Sequence, residues 1–371
     1  MKKADLIYAD SEHSADLLYA CGFRAPDAFI YFADNREKGV ILSALERDRG
    51  EKECHQDIAV YGTEDFSEGI ENGTAAVIMS LARKRNISEF RVPSDFPLGL
   101  ADYLRETGLV VMPEQGSFFP QRKFKSNDEA ADIEHALEIT EQGMYRAMEI
   151  LSEATVNNQG ILEWKHGELT SDILRSEINI ALIRGGAMPD ATIVACGLQA
   201  AEPHNLGSGP LYAGKSIIID IFPRVIETGY WGDLTRTFVK GKAPAIVKKA
   251  FDAVLEARES AKEMIKPGAN CAEIHIAANK ILEKHGFLTG RQDGRNFGFF
   301  HGLGHSVGLE IHEEPRLSPR CDHKLIGGEV LTVEPGVYYP EWGGIRLEDM
   351  VFVTSDGCKC LTGIETFLEI E

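Results

Sequence analysis

Two apolar β runs in this chain end in carboxylates, and that placement restricts the fold more than any other feature. Ser216-Ile-Ile-Ile-Asp220 reads as a buried strand closed by an acid, and Leu331-Thr-Val-Glu334 repeats the arrangement. Each is followed by a second strand carrying acids. Asp233-Leu-Thr-Arg-Thr-Phe comes after a turn containing Gly229, and Gly344-Ile-Arg-Leu-Glu348 follows Glu334. Side chains alternate along a strand, so Asp233, Thr235 and Thr237 share one face, as do Arg346 and Glu348. A carboxylate in an apolar setting is costly to desolvate unless a cation answers it. For one such pair of strands, an ion pair with Arg224 or Arg236 is a sufficient answer. For four acids in two strand pairs, with Arg236 and Arg346 as the nearby cations, two divalent metal ions satisfy the charge better. Oxygen ligands with one imidazole suit Mn²⁺, Fe²⁺, Co²⁺ or Zn²⁺.

The imidazoles lie just upstream of the second strand pair. His301-Gly-Leu-Gly-His305-Ser-Val-Gly-Leu-Glu-Ile-His312 holds three histidines among glycines. His301 and His305 are spaced as they would be on one face of a helix. Gly302, Gly304 and Gly308 weigh against a helix, since glycine costs about 1 kcal/mol there relative to alanine. A glycine-rich turn delivering imidazoles into a cleft is the expectation. His204, in Ala201-Glu-Pro-His204-Asn205, is a fourth candidate, on a proline-led loop of the kind that often faces a substrate.

The rest of the chain bounds the setting. Its 371 residues allow two domains, and 43% hydrophobic with 26% charged residues is a globular composition. Over residues 1–122, short apolar runs alternate with helical patterns, from Asp5-Leu-Ile-Tyr-Ala to Leu109-Val-Val-Met, which predicts a compact α/β domain. A hinge is expected near Gly116 to Ser126. Beyond it, over residues 123–371, a long helix capped by Asn127 or Asp128 is expected, then helices at 169–184, 245–265 and 271–285. Strands are expected at 192–195, 216–221, 233–239, 329–334 and 344–353.

The net charge of −19 argues against a nucleic-acid partner. No run of eighteen apolar residues predicts a membrane span, and acids interrupt the N-terminal segment where a signal peptide would need an apolar core. Seven scattered cysteines predict free thiols in a reducing compartment, so the cytoplasm is the expected location. Cys358 and Cys360, with Cys321 and His323, match no zinc-finger spacing.

Taken in order, the motifs Pro-His204, Asp220…Asp233-Leu-Thr-Arg-Thr, His301-Gly-Leu-Gly-His-Ser-Val-Gly, Thr332-Val-Glu-Pro-Gly and Gly344-Ile-Arg-Leu-Glu-Asp resemble those of the pita-bread metallopeptidases. That family includes methionine aminopeptidase, aminopeptidase P, prolidase and creatinase. The resemblance covers about residues 128–371. It implies a catalytic pita-bread domain, with a curved and mostly antiparallel sheet and flanking helices, behind a creatinase/prolidase-like N-terminal domain. It implies Asp220, Asp233, His305, Glu334 and Glu348 as ligands of two divalent ions, manganese foremost, with His204, His301 and His312 lining the substrate pocket. Methionine aminopeptidases mostly lack the N-terminal domain, and creatinase lacks the ligands. Cleavage before proline is what remains, in Xaa-Pro dipeptides or at the N-terminus of Xaa-Pro peptides. The family also implies a homodimer acting on small peptides. In one departure, Asp220 and Asp233 are thirteen positions apart, wider than is usual in the family. A hairpin longer by one residue on each strand, or a bulge, is the expectation.

On this resemblance Glu334 is the expected general base, and His204 or His301 the group that steadies the oxyanion. His312 contacts the peptide or its leaving group. Arg346 and Thr235 either hold the ligands in place or meet substrate, Arg346 through a substrate carboxylate. The first is favoured for Arg346 because its alternation faces the metals rather than the rim, and Tyr338 either touches substrate or packs. Two rivals remain at this point. One is a methionine aminopeptidase-like peptidase of other specificity, and the other a metal-free binding module on the same scaffold.

Overall fold

The computed structural model describes residues 2–66, 73–165 and 167–371. Contacts divide the chain into two compact units, Met1–Arg122 and Lys123–Glu371.

In the first unit six strands form one sheet: β1 (Lys3–Ala9), β2 (Phe29–Ala33), β3 (Lys38–Leu42), β4 (Ile58–Gly62), β5 (Glu89–Val92) and β6 (Val110–Pro113). Their order is β4-β3-β2-β1-β5-β6. β2 is antiparallel to both β1 and β3, and the remaining pairs are parallel. Alternation fills both faces. Leu6, Phe32 and Ile41 enter one core with Ile78 and Leu81 of helix α3 (Thr74–Arg85). Ile7, Tyr31 and Val40 enter the other with Leu17 of α1 (Ala15–Cys21). Helix α1 begins where Ser14 accepts a hydrogen bond from the Leu17 amide and stops at Gly22, whose φ of 68° suits a residue without a Cβ. The short α2 (Arg47–Glu53) and α4 (Leu98–Glu106) complete the unit.

The second unit starts with α5 (Asn127–Glu153). Its cap is Ser126, one residue before Asn127 and two before Asp128, the caps expected from the sequence. The Ser126 hydroxyl accepts from the Glu129 amide while the Glu129 carboxylate accepts from the Ser126 amide, so two otherwise orphaned amides are satisfied together. α6 (Ser171–Arg184) packs beside α5. Next come β7 (Ile193–Cys196), β8 (Ile217–Ile221) and β9 (Leu234–Lys240), antiparallel in that order. α7 (Ala245–Met264) and α8 (Cys271–Lys284) bury Val254, Ala257, Ile274 and Leu282 in one core with Leu331, Val333 and Val351 from the second sheet. That sheet is antiparallel throughout. It contains β10 (Gly304–Ser306), β11 (Glu313–Leu317), β12 (Val330–Val333), β15 (Asp349–Val353) and β16 (Cys358–Cys360), in the order β11-β10-β12-β15-β16. Between β12 and β15 a separate ladder pairs β13 (Gly336–Tyr339) with β14 (Gly343–Arg346).

Two further expectations are corrected. The strand expected over 344–353 is two strands, broken at Leu347-Glu348, because β14 pairs with β13 whereas β15 pairs with β12. The long Asp220–Asp233 connection does not extend the paired strands. The ladder ends at Ile221 opposite Leu234, and the chain leaves it in an excursion where Arg224-Val225 pairs with Ala187-Met188.

Candidate active site

Neighbouring strands bring the four acids together. The β8–β9 register sets Asp220 opposite Thr235, and Asp233 lies two residues before Thr235, so all three share a face. Glu334 follows β12, held where its amide donates to the Leu303 carbonyl at 2.8 Å. Glu348 occupies the break between β14 and β15. Its amide donates to the Thr235 carbonyl at 3.0 Å, and its Oε2 accepts from the Thr235 hydroxyl at 2.9 Å.

His305 sits on β10, a strand rather than the expected turn, and its amide donates to Thr332 Oγ1 at 3.1 Å. The glycine before it has a steric reason. A Cβ on Gly304 would run into the Thr332 carbonyl, so only glycine lets β10 lie this close to β12. His305 Nδ1 is 3.2 Å from the Ser306 carbonyl. A carbonyl can only accept, which assigns the proton to Nδ1 and leaves Nε2 with a bare lone pair. Burial, aided by His312, lowers the His305 pKa to about 3, so the ring is neutral near physiological pH. Yet Nε2 faces Asp233 Oδ2 and Glu334 Oε1, each at 3.6 Å. Nε2 can therefore be answered only by a proton held on one of these acids or by a cation.

The surrounding charge has the same imbalance. Burial raises the pKa of Asp233 well above the carboxylate range, with Glu348, Asp220 and Glu334 adding to it. Burial likewise raises Glu348, reinforced by Glu334 and Asp220. For Glu334, burial and Asp220 outweigh Arg346 and Arg316, and the pKa reaches about 8. Asp220 Oδ2 accepts from Arg346 at 2.7 Å, while its buried Oδ1 has no hydrogen-bond partner. Asp233, His305 and Glu348 each offer a ligand atom within 4.8 Å of the others. Asp220 and Glu334 line the same cavity but stand outside that cluster of three. A deficit of positive charge, an orphaned carboxylate oxygen and an unprotonated imidazole along one cavity wall fit a divalent cation bound by oxygen and nitrogen.

These groups line a cavity of about 1000 Å³. Arg346 is buried beneath it and donates to Tyr338 Oη at 2.9 Å, to the Pro203 carbonyl at 3.2 Å and to Thr235 Oγ1 at 3.3 Å. Tyr338 is fully buried, and its hydroxyl lies 3.0 Å from His301 Nε2. Because His301 Nδ1 donates to the Gly302 carbonyl at 2.7 Å, Nε2 must accept from the tyrosine. Both nitrogens of His301 are therefore committed within the protein, which leaves no free N–H for an oxyanion. His204 and His312 are exposed on the cavity wall, and the His312 ring meets His305 edge-on at 4.4 Å. Arg316, Phe222, Phe300 and Ile311 also line the cavity and were not picked out from the sequence. For Arg316 a signal existed, since Glu313-Glu-Pro-Arg-Leu alternates in and out and Arg316 is the cross-strand partner of His305.

The comparisons with known proteins agree with this geometry. Residues 131–355 match metallopeptidase family M24. The chain belongs to that family. An M24 peptidase is a metallopeptidase, and the family implies divalent metal ions. The chain is 31% identical to a Xaa-Pro dipeptidase of Pyrococcus horikoshii over 303 residues, 81% of this chain and 74% of that relative. Among solved structures it resembles the prolidase of the same organism, with a TM-score of 0.81, 26% identity and coverage of 98% and 95%. An X-Pro aminopeptidase from Thermotoga maritima has the same fold, with a TM-score of 0.82, 24% identity and coverage of 98% and 97%. These neighbours bear out the pita-bread architecture expected from the motifs. Neither rival reading is favoured by them. No helix of this M24 peptidase, among the described residues, is long and apolar enough to cross a membrane.

Proposed function

We propose that this chain is a Xaa-Pro dipeptidase, cleaving the peptide bond before proline with two divalent ions, manganese foremost. The observation that carries the metal reading is the bare His305 Nε2 facing two carboxylates at 3.6 Å. Asp220, Asp233, His305, Glu334 and Glu348 are the proposed ligands, within a catalytic domain spanning 123–371. When bound, the ions supply Lewis acidity toward the scissile carbonyl and make a nucleophile from water near neutral pH.

The protein's own groups do the rest. Glu334, whose proton bound cations would displace, takes the proton of the attacking water and returns it to the proline nitrogen. His204 and His312 are the imidazoles left to donate to the oxyanion and to hold the peptide, since both nitrogens of His301 are committed. The chain of bonds from Asp220 through Arg346 and Tyr338 to His301 fixes a ligand and the cavity wall as one unit. A prolyl nitrogen has no N–H to recognise, so ring shape must be read instead, and Phe222, Phe300 and Ile311 offer apolar wall for it. Exposed Arg316 has Glu314 for a partner at 3.6 Å and is suited to the free carboxylate of a dipeptide. This favours dipeptides over longer substrates. A cytoplasmic location belongs to the same reading, supported by seven free cysteines, and a homodimer is part of it on the family resemblance alone.

Hydrolysis of Ala-Pro, Ala-Pro-Ala and Met-Ala-Ser by manganese-loaded protein tests the proposal. Ala-Pro should be cleaved fastest. Faster cleavage of Ala-Pro-Ala would make it an aminopeptidase, and preference for Met-Ala-Ser would end the proline reading.

A further inference from the structure

Asp349 follows Glu348, and its side chain meets a second ionic cluster. Arg236 donates to Asp349 Oδ1 at 2.9 Å and Lys262 to Oδ2 at 2.7 Å. Arg258 Nη1 lies 3.3 Å from Oδ1 and its Nε 3.2 Å from Oδ2. Asp349, Arg236 and Arg258 are 3%, 1% and 3% exposed. A buried ion cluster is weak grounds for stability, because well-packed apolar residues in its place are often as stable or more so. Its use lies in what it holds.

Arg236 is the informative member. It alternates with Thr235 and Thr237 on β9, so it projects from the face opposite Asp233. Its Nη1 donates to the carbonyl of Glu348 and, at 3.0 Å, to that of Thr235. Its Nη2 reaches the Ile364 carbonyl at 3.0 Å as well as Asp349. One guanidinium thus ties the strand that follows Asp233 to the backbone of Glu348. Thr235 ties the same two segments, its carbonyl accepting from the Glu348 amide and, on the opposite face, its hydroxyl donating to the Glu348 carboxylate. Asp233 and Glu348 arrive on separate strand pairs, with no ladder of their own between them. Metal–ligand distances tolerate only about 0.2 Å of error. Something must hold the two pairs in register, and the planar five-donor fork of arginine is suited to it.

We propose that Arg236 and Asp349 form a positioning clamp that sets the separation of Asp233 and Glu348, and with it the affinity and geometry of the divalent-cation site. The clamp touches neither substrate nor cation. It acts through the backbone of Glu348, and it rests on the metal reading above.

Co²⁺ titrated into metal-stripped protein, followed by calorimetry and by its visible absorption, tests the clamp without relying on turnover. Arg236→Lys keeps the charge but cannot bridge the two carbonyls and Asp349 together. Asp349→Asn keeps the shape and removes the charge. Both should weaken Co²⁺ binding about 10- to 100-fold and shift the cobalt spectrum. Arg258→Gln leaves the carbonyl contacts of Arg236 in place and should weaken binding less, which keeps the test open if either of the first two fails to fold. Leu282→Ala, in the core of α8, is the control for general destabilisation and should leave affinity and spectrum unchanged. The clamp is overturned if the soluble variants bind Co²⁺ with wild-type affinity and spectrum, or change no more than the Leu282→Ala control. Absence of Co²⁺ binding by the wild type would instead overturn the metal reading itself.

Discussion

Glu348 and Asp349 are consecutive acids, 2% and 3% exposed, in opposite electrostatic surroundings. Burial pushes the pKa of both up. For Asp349, Arg258, Arg236 and Lys262 outweigh burial, and the carboxyl sits below its ordinary 3.8. For Glu348, Glu334 and Asp220 add to burial, and it sits well above 4.5. The Asp349 cluster is complete with the protein's own charges, whereas the Glu348 cluster is short of positive charge. Burial alone therefore marks neither as functional; the balance of charge around each acid does.

The largest expected effect comes from taking an acid out of the incomplete cluster. Glu334→Gln should lower kcat/KM by about 10²- to 10⁴-fold, as loss of a general base does, in steady-state assays on Ala-Pro. Near-wild-type turnover would remove Glu334 from the chemistry. The comparison sharpens in stability, where the neighbours should respond with opposite sign. Asp349→Asn strands buried cations and should cost about 3–5 kcal/mol in denaturant unfolding. Glu348→Gln removes a carboxyl whose ionisation burial and the neighbouring acids oppose, and should stabilise the metal-free protein near neutral pH in the same unfolding measurement. Destabilisation by both would break the contrast.

The pH dependence follows with the same sign. Glu334 binds its proton more tightly in the folded than in the unfolded protein, with a pKa raised from 4.5 to about 8. Its stabilising contribution is full below pH 4.5 and is lost as pH rises toward about 8. Metal-free protein should lose up to about 1.4 kcal/mol per pH unit for each such proton, and thermal melts across that window should show metal abolishing the loss. For Asp349 the sign reverses, since its lowered pKa stabilises above the ordinary 3.8 and that contribution disappears in acid. The smallest effect lies away from both clusters. Ser126→Ala removes the α5 cap and should cost about 1 kcal/mol, with kcat/KM unchanged.

Much of this arrangement was legible in the residues. Period-two patterning located β8, β9 and β12, and it placed Asp233, Thr235 and Thr237 on one face because the pattern is local; that Asp220 joins them needed the β8–β9 register. What failed depended on partners distant in sequence. The break at Leu347-Glu348 exists because β14 and β15 choose different neighbours. His305 is on a strand because Gly304 lets β10 close on Thr332, a contact invisible in a run of glycines. The commitment of His301 to Tyr338, and the three cations on Asp349 from β9 and α7, likewise need the folded chain.

The central claim is that the acids around Glu348 await a cation that the protein does not supply. Calorimetric titration of chelator-stripped protein with Mn²⁺ near neutral pH, in two buffers of different ionisation enthalpy, tests it most directly. The account predicts two ions bound per chain with net release of protons, and much weaker binding by Glu348→Gln. Absence of binding, or binding without proton release and with unchanged affinity in Glu348→Gln, would contradict it.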